Sequence, residues 1–350
     1  MMSNLFGKEI KREDITKRVG SLSQIADARM MAFEEGKARG MRCVEVKTGS
    51  GLTFTVLPER GLDICWAEFK GNPFSYISKS EVCTPQFFQE NGDKGFLDNF
   101  FGGLLTTAGL SNVGAANEDE GVKYGLHGTI SNIPANDVAI EKVWVDDEYH
   151  ITIKGTVRQS RFYGEDLVLR RKISTKMGSN EIVIEDEIEN QGFVEQPVMI
   201  LYHLNFGFPF VSANSKLYMN DSEVVERTPE AKVGLENWQQ ILEPIHGYQE
   251  QCFYHDFVTS EDGEVRAEIF NPKIAGEGLG VYIKYQKDEL PRFCQWKQMG
   301  EQEYVMGLIP ANAFAEGRHE EKQNGRLEIL KPKEVKKIKL TIGIREGMDA

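Results

Sequence analysis

The sequence predicts an all-β protein, a large twisted antiparallel β-sandwich with a few short helices. Three observations carry that reading. Apolar and polar residues alternate with period two through much of the chain, as they do when one face of a strand is buried and the other is wet. Glycine-rich turns separate these runs at short intervals. Runs of helical character are few and short.

Taken in order, residues 21–46, SLSQIADARMMAFEEGKARGMRCVEV, hold the Ala, Met and Glu of a helix. The glycine-rich EEGKARG leads into a strand, however, and a hairpin is the expected form. CVEVKTGSGLTFTVL (43–57) is two alternating runs around Gly-Ser-Gly. TPQFFQENG (84–92) predicts a short helix. Residues 96–137 are rich in Gly, Asn, Ser and Thr and are expected as a long loop. Loops of that length in a compact domain are more often functional than passive. ITIKGTV (151–157), DLVLRRKI (166–173) and EIVIEDEI (181–188) are strands, the last two joined at the MGSN turn. TPEAKVGLENWQQI (228–241) predicts a helix capped by Thr228. GVYIKYQ (280–286) and VKKIKLTIGI (335–344) close the set. No repeat or Pro/Ser-rich linker divides the chain, so residues 1–20 are expected as a lead-in and 21–350 as one domain.

A net charge of −13 opposes binding to a phosphate backbone, which needs a clustered basic face. No apolar run is long enough to span a bilayer, and the first residues lack the apolar core of a signal peptide. A cytoplasmic protein with no nucleic-acid or membrane partner is therefore expected; the sequence leaves its oligomeric state open, a homodimer included. The five cysteines are scattered without a CxxC pair, and no histidines show HxxxH or HExxH spacing, so neither a disulfide framework nor a metal site is expected.

Two histidines stand out. LYHLNFGFPF (201–210) carries His203 and Asn205 inside an apolar run, and GLHGTISNIP (125–134) sets His127 between glycines. On residue type, His203 is either a satisfied core histidine or a proton carrier, and His127 either a loop histidine or a ligand contact. Arg60 and Asp63 in LPERGLDI read as a surface charge pair or as hydroxyl-binding groups. Trp296 suits stacking on a sugar face as well as core packing.

LPERGLDI (57–64), GGLLTTAGLSNVG (102–114), GLHGTISNIPA (125–135), YHLNFGFP (202–209), LPRFCQWKQMGEQEYVMGLIPANA (290–313) and LEILKPKE (327–334) occur in one order. As a set they resemble the aldose 1-epimerase (galactose mutarotase-like) superfamily from about residue 20 onward, most of all a bacterial branch known either as aldose 1-epimerase family proteins or as a domain of unknown function. The resemblance implies a β-sandwich with an open cleft and a small-molecule sugar as partner. It also implies anomer interconversion: a carboxylate takes the proton of the anomeric hydroxyl, a histidine protonates the ring oxygen, and the opened ring recloses on its other face. That chemistry needs proton transfer alone, so no cofactor is expected. By resemblance His203 is the acid, His127 assists near the ring oxygen, and Arg60, Asp256, His255, Asn205 and Trp296 bind substrate. The base position falls in Leu308-Ile309-Pro310, where Ile309 accepts no proton. Glu316 or Glu303 is the expected replacement, the alternative being a sugar-binding protein with little or no catalysis.

Overall fold

The computed structural model describes residues 3–5 and 7–347. Two antiparallel sheets form the sandwich. The larger has eleven strands, running from the edge as Ser222–Glu226, Gln251–Phe257, Arg292–Gly300, Glu303–Ala311, Met199–Gly207, Leu105–Leu110, Asp63–Phe69, Leu52–Leu57, Arg42–Lys47 and Asp27–Ala32, with Asn72–Pro73 paired to Asp63–Phe69. The smaller has eight: Asn136–Val145, Glu148–Ser160, Asp166–Lys176, Glu181–Asn190, Val335–Glu346, Leu279–Gln286, Glu264–Asn271 and Lys216–Met219. The hairpin expected within residues 21–46 is present, with Asp27 opposite Lys47. The MGSN turn joins its two strands as expected.

Period two explains the core. In Glu148–Ser160 and Glu181–Asn190, buried residues alternate strictly with half-buried or exposed ones, and Ile151, Ile153, Ile182 and Ile184 meet Ile200, Tyr202, Leu204 and Phe206 of the larger sheet in one cluster. The Met199–Gly207 strand is different, because all nine of its residues are buried. Its second face, carrying Leu201 and His203, is covered by other parts of the chain.

Two sequence expectations change. Residues 96–137 are not one loop: Leu105–Leu110 is a central strand of the larger sheet, between Met199–Gly207 and Asp63–Phe69. LTTAGL is buried on both faces, so it lacks the alternation that marks a half-wet strand. Residues 84–92 form only a 3-10 turn at Pro85–Phe87. The helix at Thr228 is short, Pro229–Gly234 running into a 3-10 turn at Leu235–Asn237, and Thr228 Oγ1 caps it by accepting from Ala231 N at 3.3 Å.

Arg60 and Asp63 are not a surface pair either, since both are buried. Asp63 accepts from Thr107 N at 3.0 Å and Thr107 Oγ1 at 2.6 Å and pairs with Arg171 Nη1 at 3.2 Å. Arg171 also holds Asp186 at 2.7 Å, and Tyr202 donates to Asp186 at 2.7 Å. This cluster lies between the sheets.

Candidate active site

A hollow of about 430 Å³ opens on the outer face of the larger sheet. Its floor comes from the strands Met199–Gly207, Glu303–Ala311, Arg292–Gly300 and Gln251–Phe257, through Leu201, His203, Ile309, Cys294, Trp296 and Cys252. The short helix Asp93–Leu97 with Phe100, and the segment from Gly114 to His127, supply walls.

Strand alternation places His203. Ile200, Tyr202 and Leu204 enter the inter-sheet core, so Leu201, His203 and Asn205 turn outward. His203 is 6% exposed. Its Nδ1 lies 2.5 Å from Asn205 Oδ1. Asn205 Nδ2 is fixed in turn by the carbonyls of Gly102 (3.3 Å), Gly103 (3.1 Å) and His203 (2.8 Å). Burial lowers the His203 imidazole to about 4, against a smaller upward pull from the Asn205 bond.

His127 arrives from the wall in a left-handed backbone conformation, φ 60°, which a residue with a Cβ adopts at a cost of order 1–3 kcal/mol. Tight backbone bonds hold it there: its N–H donates to Gly114 O at 2.8 Å and its carbonyl accepts from Gly109 N at 2.9 Å. Its Nδ1 accepts from Gly114 N at 3.3 Å. Gly128 follows at φ 68°, where a Cβ would stand 2.4 Å from Gly109 O. That glycine therefore serves close approach of two backbones, not of backbone to ligand. Burial, then the nearness of His203 and Arg227, which opposes a charge on the ring, pushes His127 well below the ordinary imidazole range.

The rings of His127 and His203 are 5.6 Å apart and perpendicular at 88°. Phe100 at 5.3 Å and Trp296 at 5.2 Å flank His203. Trp296 Nε1 donates to Glu250 at 2.7 Å. The hollow thus offers two neutral imidazoles within mainly aromatic and aliphatic walls, with Asp93, Arg227 and Glu250 also lining it, the composition of a site for a small polar molecule. Among the described residues no cluster of three or more His, Cys, Asp or Glu is arranged to hold a metal ion.

Residues 38–344 match the model of a family described as a domain of unknown function, DUF4432. The chain belongs to that family. No curated protein matches it. The DUF4432 chain is similar in structure to a candidate aldose 1-epimerase from Klebsiella pneumoniae, at 26% identity and TM-score 0.84, covering 91% of this chain and 83% of that one. It also shares its fold with a galactose mutarotase-like protein from Clostridium acetobutylicum (14% identity, TM-score 0.62, 92% and 99% covered) and a galactose 1-epimerase from Lactobacillus acidophilus (12%, 0.58, 92% and 100%). The fold is that of the aldose 1-epimerase and galactose mutarotase-like proteins.

Other expected site residues of this DUF4432 chain lie elsewhere. Arg60 is 1% exposed and spends its donors on three carbonyls: Ser131 at 2.6 Å, Cys83 at 3.0 Å and Asn99 at 3.1 Å. His255 faces the inter-sheet core, between Ser222 Oγ and Gln295 Oε1, both at 3.1 Å, and against Phe257 and Phe293. It is the satisfied core histidine that His203 is not. Asp256 is exposed and paired with Lys287 at 2.7 Å. Glu303 pairs with Lys79 outside the hollow. Ile309 stands in the hollow, almost fully buried.

Glu316 lies beside the hollow but is engaged. Arg227 Nε donates to it at 3.0 Å and Tyr254 OH at 2.5 Å. Arg227 itself lines the hollow, and neither it nor Tyr254 was expected from sequence. Tyr254 was signalled: alternation in Gln251–Phe257 turns Cys252 and Tyr254 toward the site and His255 away from it. Arg227, just past the strand Ser222–Glu226 and before a helix cap, carries no such signal.

Proposed function

We propose that this protein binds a free sugar in the hollow and interconverts its anomers by proton transfer at the two imidazoles. The observation that carries the reading is the His203–His127 pair, 5.6 Å apart in a walled hollow on the outer sheet face of a mutarotase-like fold. Trp296 and Phe100 give the sugar ring an apolar face to lie on, and Asn205 holds His203 in place for it. The isomerase reading extends what the fold alone supports, a sugar-related epimerase architecture.

Ile309 favours a second reading, a sugar-binding protein with weak or no catalysis, because no carboxylate stands at that position. The test is anomer exchange followed by NMR with purified protein over a panel of aldoses and ketoses. Accelerated exchange with at least one sugar is expected. Saturable binding without acceleration selects the second reading, and neither binding nor exchange refutes both.

A further inference from the structure

Resting on that isomerase reading, we infer that a single imidazole carries all the proton traffic: His203 accepts the anomeric proton at Nε2 and returns it to the ring oxygen, while His127 only donates a hydrogen bond to that oxygen. Hydrogen-bond direction is the ground for this. Asn205 Nδ2 donates to the carbonyls of Gly102, Gly103 and His203, so its amide orientation is fixed and Oδ1 faces His203 Nδ1 at 2.5 Å. An amide oxygen only accepts. The His203 proton therefore sits on Nδ1, and Nε2 holds a lone pair. The His127 ring is the opposite tautomer. A backbone N–H, that of Gly114, donates to its Nδ1 at 3.3 Å, so its proton sits on Nε2.

A neutral imidazole that gives up its one proton becomes an imidazolate, an anion that a buried and mainly apolar hollow disfavours. His127 cannot avoid this by charging first, because Nδ1 is occupied by a donor whose proton cannot move. It therefore serves as a fixed dipole against the charge that develops on the ring oxygen. His203 has no such limit. Its Nε2 takes the proton of the anomeric hydroxyl as the C1–O1 double bond forms and the C1–O5 bond breaks. Nε2–H then gives the proton to O5. Both oxygens are bonded to C1, within reach of one nitrogen. His203 ends neutral, the open-chain sugar rotates about C1–C2, and the reverse sequence closes the ring. Atoms and charge balance without a second base, which is how Ile309 becomes tolerable.

The groups facing His203 agree. His127 is neutral, a bond to Cys252 and burial keep Cys294 of the floor a thiol, and Arg227 is a cation held by Glu316. The carboxylates lining the hollow are Asp93 and Glu250, the second bonded to Trp296.

The experiment has a binding-independent arm and a kinetic arm. Long-range 1H–15N NMR on histidine-labelled protein at neutral pH is expected to show the Nδ1–H tautomer at His203 and the Nε2–H tautomer at His127; the reverse at either ring overturns the shuttle. In exchange kinetics, kcat/KM is expected to hold steady through neutrality and fall below about pH 4, where His203 becomes protonated. A His203 that starts as the acid gives the opposite, a rate that declines as pH rises past that point. His203→Gln is expected to cost about 100-fold or more. His127→Gln, which keeps a donor, is expected to cost about tenfold or less, on the scale of one hydrogen bond. A loss of about 100-fold in Glu250→Gln or Asp93→Asn moves the base to that carboxylate and overturns the proposal. Absence of exchange in the wild-type protein removes the isomerase reading itself; exchange with the wrong tautomers or pH sign removes the shuttle alone.

Discussion

Tyr202 and His203 are neighbours on one strand and face opposite worlds. Tyr202 points between the sheets, into a cluster where Arg171 holds Asp63 and Asp186 and every charge has a partner of opposite sign. His203 points outward, with Nδ1 bonded to Asn205 and Nε2 making no hydrogen bond to the described residues. Both regions are buried and polar. The inner one is closed on itself, which suits holding two sheets in register. The outer one leaves one nitrogen free inside a walled hollow, which suits a ligand. Completeness of hydrogen bonding, more than burial or charge, separates structural from chemical polarity in this molecule.

The comparison breaks first at Arg171. Arg171→Met strands two buried carboxylates, and an unfolding free energy lower by about 3–5 kcal/mol is expected in urea titrations. A loss under about 1 kcal/mol shows that the inner cluster is not what secures the sandwich. Acid sharpens it next. His203 and His255 are both lowered to about 4 by burial, below the ordinary imidazole value near 6.5. The unfolded chain therefore binds protons that the folded one refuses. Their contribution to stability is present above about pH 6.5 and is lost as pH falls toward 4. The urea midpoint is expected to drop more between pH 7 and 5 in wild type than in a His203→Gln, His255→Gln double variant; equal drops assign the acid sensitivity to other groups. The smallest effect is expected at Trp296→Ala. Losing one aromatic face weakens sugar affinity by about 0.5–1.5 kcal/mol, roughly tenfold at most, as read by titration calorimetry, with the inner cluster and its stability little changed.

The sandwich was legible because most strands have one wet face, and alternation reports that condition through residues such as Ile151, Ile153, Ile182 and Ile184. Leu105–Leu110 escaped because both its faces are covered, leaving a small-residue run that resembles a loop. At the site, His203, His127, Asn205 and Trp296 come together around the hollow as a group. His255 and Arg60 do not. His255 is expected at the site from its place in a motif and not from strand phase, and one residue of phase moves it from the hollow into the core beside Phe257. Arg60 reads as an exposed turn residue because nothing local announces the three distant carbonyls that bury it. Arg227 reaches the hollow through its pairing with Glu316, 89 positions away, a contact no local pattern encodes.

Those three carbonyls belong to separate stretches of chain, at Cys83, Asn99 and Ser131. One stretch leads into Phe100 and another follows His127 by four residues, so a single guanidinium rivets both ramparts of the hollow to the same strand end. Neither rampart can swing without dragging its counterpart. Under the isomerase reading proposed above, a turnover limited by gate opening is therefore not expected.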